Sequence, residues 1–214
     1  MKKVGVIYTV PILQESFPKL MHQEFDQIEL VEILDNEILA IIKEDDYNVT
    51  ERQIDKMLGH IEYFNQNKVD FIISTCSSLG DIFNNIKSSI PIFQIDKPMM
   101  VEAVNLGKNI VLVATAPTTI KPSTNLLKNT ATQLNKSVTV NALLIPEAGT
   151  LLFGGDTKGF INKLIEEIEK VESKDIIVLA QGSMAIAKDT LGIHFGIPVL
   201  ASTDLFIADL HKNF

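Results

Sequence analysis

Lys2-Lys3-Val4-Gly5-Val6-Ile7-Tyr8-Thr9-Val10-Pro11 and, at an offset of 106 residues, Lys108-Asn109-Ile110-Val111-Leu112-Val113-Ala114-Thr115-Ala116-Pro117 follow one plan: a lysine, an apolar run of strand length and a Thr-x-Pro turn. The match continues in order. Asp70-Phe71-Ile72-Ile73 lies over Asp175-Ile176-Ile177-Val178 at an offset of 105, and Ile90-Pro91-Ile92 over Ile197-Pro198-Val199 at 107. Matches in one order at nearly constant spacing predict two similar lobes.

Outward from these runs, strands are predicted at 4–9, 27–34, 71–75 and 90–96, alternating with segments of helical period. Thr50 stands as a helix N-cap with Gln53 in the capping-box position and Ile54, Met57, Leu58 and Ile61 as the apolar stripe. A helix is predicted over 78–86. In the second half, 138–144 supplies the counterpart of the second strand. Residues 160–171 read as an amphipathic helix capped by Asp156 or Thr157. Strands alternating with helices imply right-handed crossovers and parallel sheets. The expected fold class is therefore α/β: two pseudo-symmetric lobes, each a parallel four-stranded sheet flanked by helices. Residues 1–98 with a return helix over 203–214 would form the first lobe and 99–202 the second, with Met99 and Met100 packing at the crossing. Ligands of open α/β sheets bind beyond the carboxyl ends of the strands. A pseudo-twofold would bring the loops 9–11, 76–78, 115–119 and 181–183 to one cleft, the expected active site.

At 214 residues and 46% hydrophobic content the chain can bury a large core and is not a disordered one. A net charge of -8 leaves no basic footprint, so neither nucleic acid nor an anionic membrane is an expected partner. One cysteine excludes an internal disulfide. With no apolar stretch of membrane-spanning length and Met1-Lys2-Lys3 leading straight into a strand, the expected location is cytoplasmic. Arg52 is the single arginine. A bound carboxylate would therefore be held by backbone N–H groups, hydroxyls or lysine rather than a bidentate guanidinium.

That cysteine, Cys76, lies in Ser74-Thr75-Cys76-Ser77-Ser78-Leu79-Gly80-Asp81, at a predicted strand-to-helix turn. N–H groups and the helix dipole there favour a thiolate. Cysteine is also among the most buried residue types, so a packing role stands beside the reactive one.

With Thr75-Cys76-Ser77-Ser78 after the third strand, Ala114-Thr115-Ala116-Pro117-Thr118-Thr119 after the first strand of the second half and Leu179-Ala180-Gln181-Gly182-Ser183-Met184 after its third, the chain resembles the aspartate/glutamate racemase superfamily. That superfamily also contains hydantoin racemases, maleate isomerases and arylmalonate decarboxylases. The resemblance covers essentially the whole chain. It implies an active site between two lobes, no metal, no organic cofactor, a small carboxylate or amino-acid substrate and a homodimer. It casts Cys76 as acid/base on one face of the carbon next to a carboxylate. Thr9, Ser77, Ser78, Thr115, Thr118, Thr119 and Gly182 fall where substrate is held, and helix capping is the competing role for the hydroxyls.

The chain departs from the family pattern on the far side. Where the repeat aligns Cys76, it carries Gln181, and a carboxamide does not take or give a proton near neutral pH. Ser183 has a hydroxyl with no adjacent activator. Tyr8 and Thr9 replace the aspartate or serine usual after the first strand. Four readings stay open: a racemase or related isomerase with Cys76 on one face and Ser183, water or another group on the other; a one-thiol decarboxylase; a Cys76 nucleophile acting on a small acid; and a non-catalytic carboxylate-binding protein. His22, His60, His194 and His211 show no metal-ligand spacing, and Gly154-Gly155-Asp156 lacks a phosphate-loop pattern.

Overall fold

The computed structural model describes residues 1–213, and the chain divides into two units, Met1–Ile95 and Asp96 onward. The first contains, in chain order, β1 (Lys2–Tyr8), α1 (Pro11–Glu24), β2 (Ile28–Leu34), α2 (Glu37–Glu44), α3 (Glu51–Gln66), β3 (Phe71–Ser74), α4 (Gly80–Phe83) and β4 (Ile92–Gln94). The second contains α5 (Lys97–Leu106), β5 (Asn109–Ala114), α6 (Pro117–Gln133), β6 (Thr139–Leu144), α7 (Pro146–Phe153), α8 (Thr157–Glu169), β7 (Ile176–Leu179), α9 (Lys188–Phe195), β8 (Val199–Leu200) and α10 (Ser202–Asn213). Every pairing is parallel, in the order β2-β1-β3-β4 and again β6-β5-β7-β8. The α/β fold with two four-stranded parallel sheets is as the repeat predicts.

The repeat extends to single hydrogen bonds. Lys3 N donates to Asp70 Oδ2 at 2.8 Å, and Lys108 N to Asp175 Oδ2 at 2.9 Å, so one aspartate ties the start of the central strand in each unit. The Thr-x-Pro turns are helix starts: Pro11 and Pro117 occupy the first turns of α1 and α6, where a missing N–H costs nothing.

The second sheet is apolar on both faces, as parallel strands flanked by helices require. Ile110, Leu112, Ile176 and Val178 pack with Met99, Met100, Leu126 and Leu127. The alternate residues Val111, Val113, Ile177 and Leu179 pack with Phe160, Leu164 and Ile168 of α8. In the first sheet Ile7 and Ile72 face α2 and α3. Gly5 admits the Phe64 ring there, since a Cβ on Gly5 would lie 2.7 Å from a ring carbon.

Several expectations change. α10 packs on α5 in the second unit, with Phe206 and Leu210 buried and Leu205 against the cluster that contains Met99, so residues 203–213 do not return to the first unit. Phe214 lies outside the described residues. Met99 and Met100 are core residues of the second unit. The predicted helix over 78–86 is a 3-10 turn, Ser77–Leu79, followed by the four-residue α4. No capping box forms at α3: Thr50 Oγ1 and Gln53 Nε2 each donate to Asp45 Oδ2 at 2.7 Å, because the buried Gln53 finds a charged acceptor across the loop. Asp156 does cap α8, accepting from Gly159 N at 2.8 Å. Among the described residues no helix is long and apolar enough to cross a membrane.

Candidate active site

At the carboxyl end of the first sheet, Thr75 anchors the exit of β3: its N–H and its Oγ1 both donate to the Ile7 carbonyl, at 3.2 and 3.0 Å. Cys76 follows in extended conformation, half-buried, with its carbonyl accepting from Leu79 N at 3.1 Å. Its side chain packs against the apolar cluster of Ile7, Ile72 and Leu79, so the thiol combines a packing contact with partial exposure. Ser77 is half-buried, and Ser78 and Thr9 are buried. The short α4 weakens one part of the sequence argument, since a four-residue helix has little macrodipole to offer a thiolate.

Around this strand end lie buried polar groups, of which sequence reading singles out Tyr8 but not Ser74 or Gln94. Ser74 Oγ and Gln94 Oε1, on strand positions in register, and Tyr8 Oη are buried without a partner at hydrogen-bond geometry. Burial first, and the Glu32 carboxylate second, hold the Tyr8 phenol far above the ordinary tyrosine range. At the end of β2, the buried Asp35 accepts from Ile38 N at 3.1 Å and sits 2.7 Å from His60 Nε2 and 3.4 Å from Lys56 Nζ. His60 is thus committed to a carboxylate.

In the second unit, Gln181 leaves β7 with the same extended backbone as Cys76, φ -135° and ψ 134° against -120° and 115°. Its side chain turns back to the end of β5. Oε1 accepts from Thr115 N at 2.6 Å, Thr115 Oγ1 at 3.1 Å and Ala116 N at 3.2 Å. The N-terminal N–H groups of the helix region, a natural anion nest, thus hold a carboxamide oxygen. Thr119 N donates to the Ala116 carbonyl at 3.0 Å, and Thr119 is buried while Thr118 is half-buried. Gly182 and Ser183 are exposed at the start of a 3-10 segment, Gly182–Ala187. Behind Thr115, Gly149 of α7 leaves no spare room: a Cβ there would lie 3.0 Å from Thr115 Cβ.

Gln181 and Thr115 are therefore brought together, and Cys76 adjoins Ser77 and Ser78 in sequence and turn. Sequence reading missed the Ala116 N–H and Gly149, because a backbone donor carries no side-chain signal and the glycine's closeness to Thr115 is a tertiary fact. His194 is an exposed partner of Glu169 at 3.0 Å. Among the described residues, no group of three or more His, Cys, Asp or Glu is placed to hold a metal ion.

The model of the Asp/Glu/hydantoin racemase family matches residues 10–210. The chain belongs to that family. This racemase-family chain is also similar in structure to an aspartate racemase of Picrophilus torridus, at a TM-score of 0.71 and 18% identity, covering 100% of this chain and 94% of that one. A glutamate racemase from Aquifex pyrophilus matches at 0.67 and 18%, covering 99% and 84%. An allantoin racemase from Klebsiella pneumoniae matches at 0.61 and 16%, covering 99% and 87%. At such identities these likenesses establish the fold. No curated protein matches the chain by sequence. Family membership makes the chain racemase-like and supports action on an amino acid or a related small molecule.

Proposed function

We propose that this family member is a cofactor-independent racemase or related isomerase acting at the carbon next to the carboxylate of a small, amino-acid-like acid, with Cys76 as the acid/base group. The observation that carries the reading is the equivalence of two positions with different chemistry. Cys76 and Gln181 end corresponding strands in the same backbone conformation, and of the two only Cys76 carries an ionisable group. The Cys76 thiolate takes the α-proton, the C–H electron pair delocalises toward the carboxylate, and a proton returns to the same carbon. Ser77, Ser78, Thr9, Thr118, Thr119 and Gly182 would hold the substrate through hydroxyl and backbone donors, with Thr115 supporting Gln181. Inversion needs a proton donor on the opposite face, for which exposed Ser183 or water is available.

A second reading is favoured by the fixed Gln181. If no group serves the far face, one thiol suffices for a decarboxylase: the bond from the α-carbon to a carboxylate breaks, carbon dioxide leaves, and Cys76 protonates the carbanion that remains. A small carboxylate as ligand, a homodimer and a cytoplasmic location complete the proposal.

The test is incubation in D2O with both enantiomers of aspartate and glutamate, with hydantoins and with substituted malonates, followed by NMR and chiral chromatography. Deuteration with inversion supports the racemase. Release of carbon dioxide with single-handed deuteration supports the second reading. No turnover of any candidate sinks both.

A further inference from the structure

We infer that Gln181 selects the substrate by hydrogen-bond donation, and that the acid it accepts carries a second acceptor oxygen, as a carboxylate or carbonyl, rather than an ammonium group at that place. The inference rests on the reading above that the strand-end loops hold a small carboxylic acid.

A carboxamide has one acceptor oxygen and one NH2 with two donors. Two of the three groups that meet Gln181 Oε1 are backbone N–H groups, which can only donate. Turning the amide over would set donors against donors, so chemistry fixes which atom is oxygen. With Thr115 Oγ1 as the third donor, Oε1 is fully engaged. The NH2 is different: it has no partner among the described residues and is not among the buried polar atoms, so it keeps access to the surface. Gln181 is thus a rigid group that presents donors and no acceptor. A carboxylate or carbonyl oxygen satisfies it, and a charged carboxylate does so more strongly than a neutral oxygen. An ammonium brings only donors of its own and leaves both sides unpaired. The Thr115–Ala116 nest, already filled by Oε1, is the anchor that aims the amide and not itself the anion site.

Methylmalonate and alanine test this directly, since they differ by exchange of one carboxylate for an ammonium. The side-chain NH2 resonance of Gln181 is followed in 15N-labelled protein, assigned by its loss in Gln181→Met. Methylmalonate is expected to shift that resonance and to bind at least about ten-fold more tightly than either alanine enantiomer. Gln181→Glu keeps an oxygen for the nest but turns the presented group into an acceptor, so the preference should reverse. Gln181→Met should weaken methylmalonate binding about ten-fold, with a urea midpoint confirming that the variant is folded. An unmoved resonance, no binding of methylmalonate, an unchanged preference in Gln181→Glu, or tighter binding in Gln181→Met would overturn the proposal, the last by showing that the nest was the anion site. Deuterium exchange separates the two readings. Binding through Gln181 without exchange on any candidate defeats the acid/base reading alone; exchange on amino acids with the Gln181 resonance unmoved defeats this one alone.

Discussion

The end of β3 reads Ser74-Thr75-Cys76, and the end of β7, at the same place in the same strand order, reads Leu179-Ala180-Gln181. Both stretches leave a buried central strand in extended conformation, and in both the residue before the variable one bonds to the carbonyl chain of the neighbouring strand, Thr75 N to Ile7 O and Ala180 N to Val113 O. What differs is where polarity is placed. The first unit keeps Ser74 Oγ and Gln94 Oε1 buried with no partner and the Tyr8 phenol buried under the influence of Glu32, and leaves its thiol half-exposed. The second is apolar at Leu179 and Ala114, and its one long polar side chain is tied down by three donors. A duplicated scaffold has thus kept its backbone while one copy holds a half-exposed thiol and the other a carboxamide fixed by its neighbours.

The largest expected effect breaks this contrast at its thiol end. Cys76→Ala should lower α-proton exchange on the best substrate by about 10²–10⁴-fold, the usual loss on removing a general acid/base, with little change in the urea midpoint. Equal activity in the variant would remove the thiol from the chemistry. Next comes Gly5→Ala. Its counterpart Val111 carries a full side chain, whereas at Gly5 the Phe64 ring lies 2.7 Å from a built Cβ. A loss of about 1–3 kcal/mol in urea unfolding is expected from overpacking, and a neutral result would show that the ring moves freely.

Ser74→Ala sharpens the comparison with an opposite sign. It removes a buried hydroxyl that has no partner, and Leu179 shows that the equivalent site is apolar in the second unit, so stability should rise by about 1 kcal/mol. A fall would mean that the hydroxyl is paired in solution. The smallest effect concerns the tie that the units share. Backbone N–H groups of Asn109 and then Lys108 hold the Asp175 carboxyl below its ordinary value of 3.8. A depressed folded-state pKa adds stability that is present above the unfolded value and is lost as pH falls through the folded one. Urea midpoints should therefore drop between pH 5 and about 3 by less in Asp175→Asn than in the parent. Parallel curves would rule out that contribution.

Much of the scaffold was legible because apolar strand runs, Thr-x-Pro turns and the Asp70 and Asp175 positions each have a local physical meaning that repeats. Cys76 and Gln181 could be aligned for the same reason. The grip on Gln181 could not be read, since two of its three donors are main-chain N–H groups that any residue would supply. The shortness of α4 was hidden by apolar residues at 79, 82 and 83 that suit a long helix equally well. The placement of α10 depended on which apolar surface, α5 or the first sheet, its Phe206 and Leu210 would meet, and sequence pattern holds no information on that choice.

Tyr8 has an optical consequence. The chain contains no tryptophan and three tyrosines, so tyrosine absorbance and emission are not masked. Tyr63 is exposed on α3, while Tyr8 is fully buried, edge-on to Phe17 with centroids 6.2 Å apart, and one residue before Thr9. Because its phenol stays protonated far into alkaline solution, Tyr8 is a built-in chromophore at the strand ends of the first unit, reporting on that region without a label.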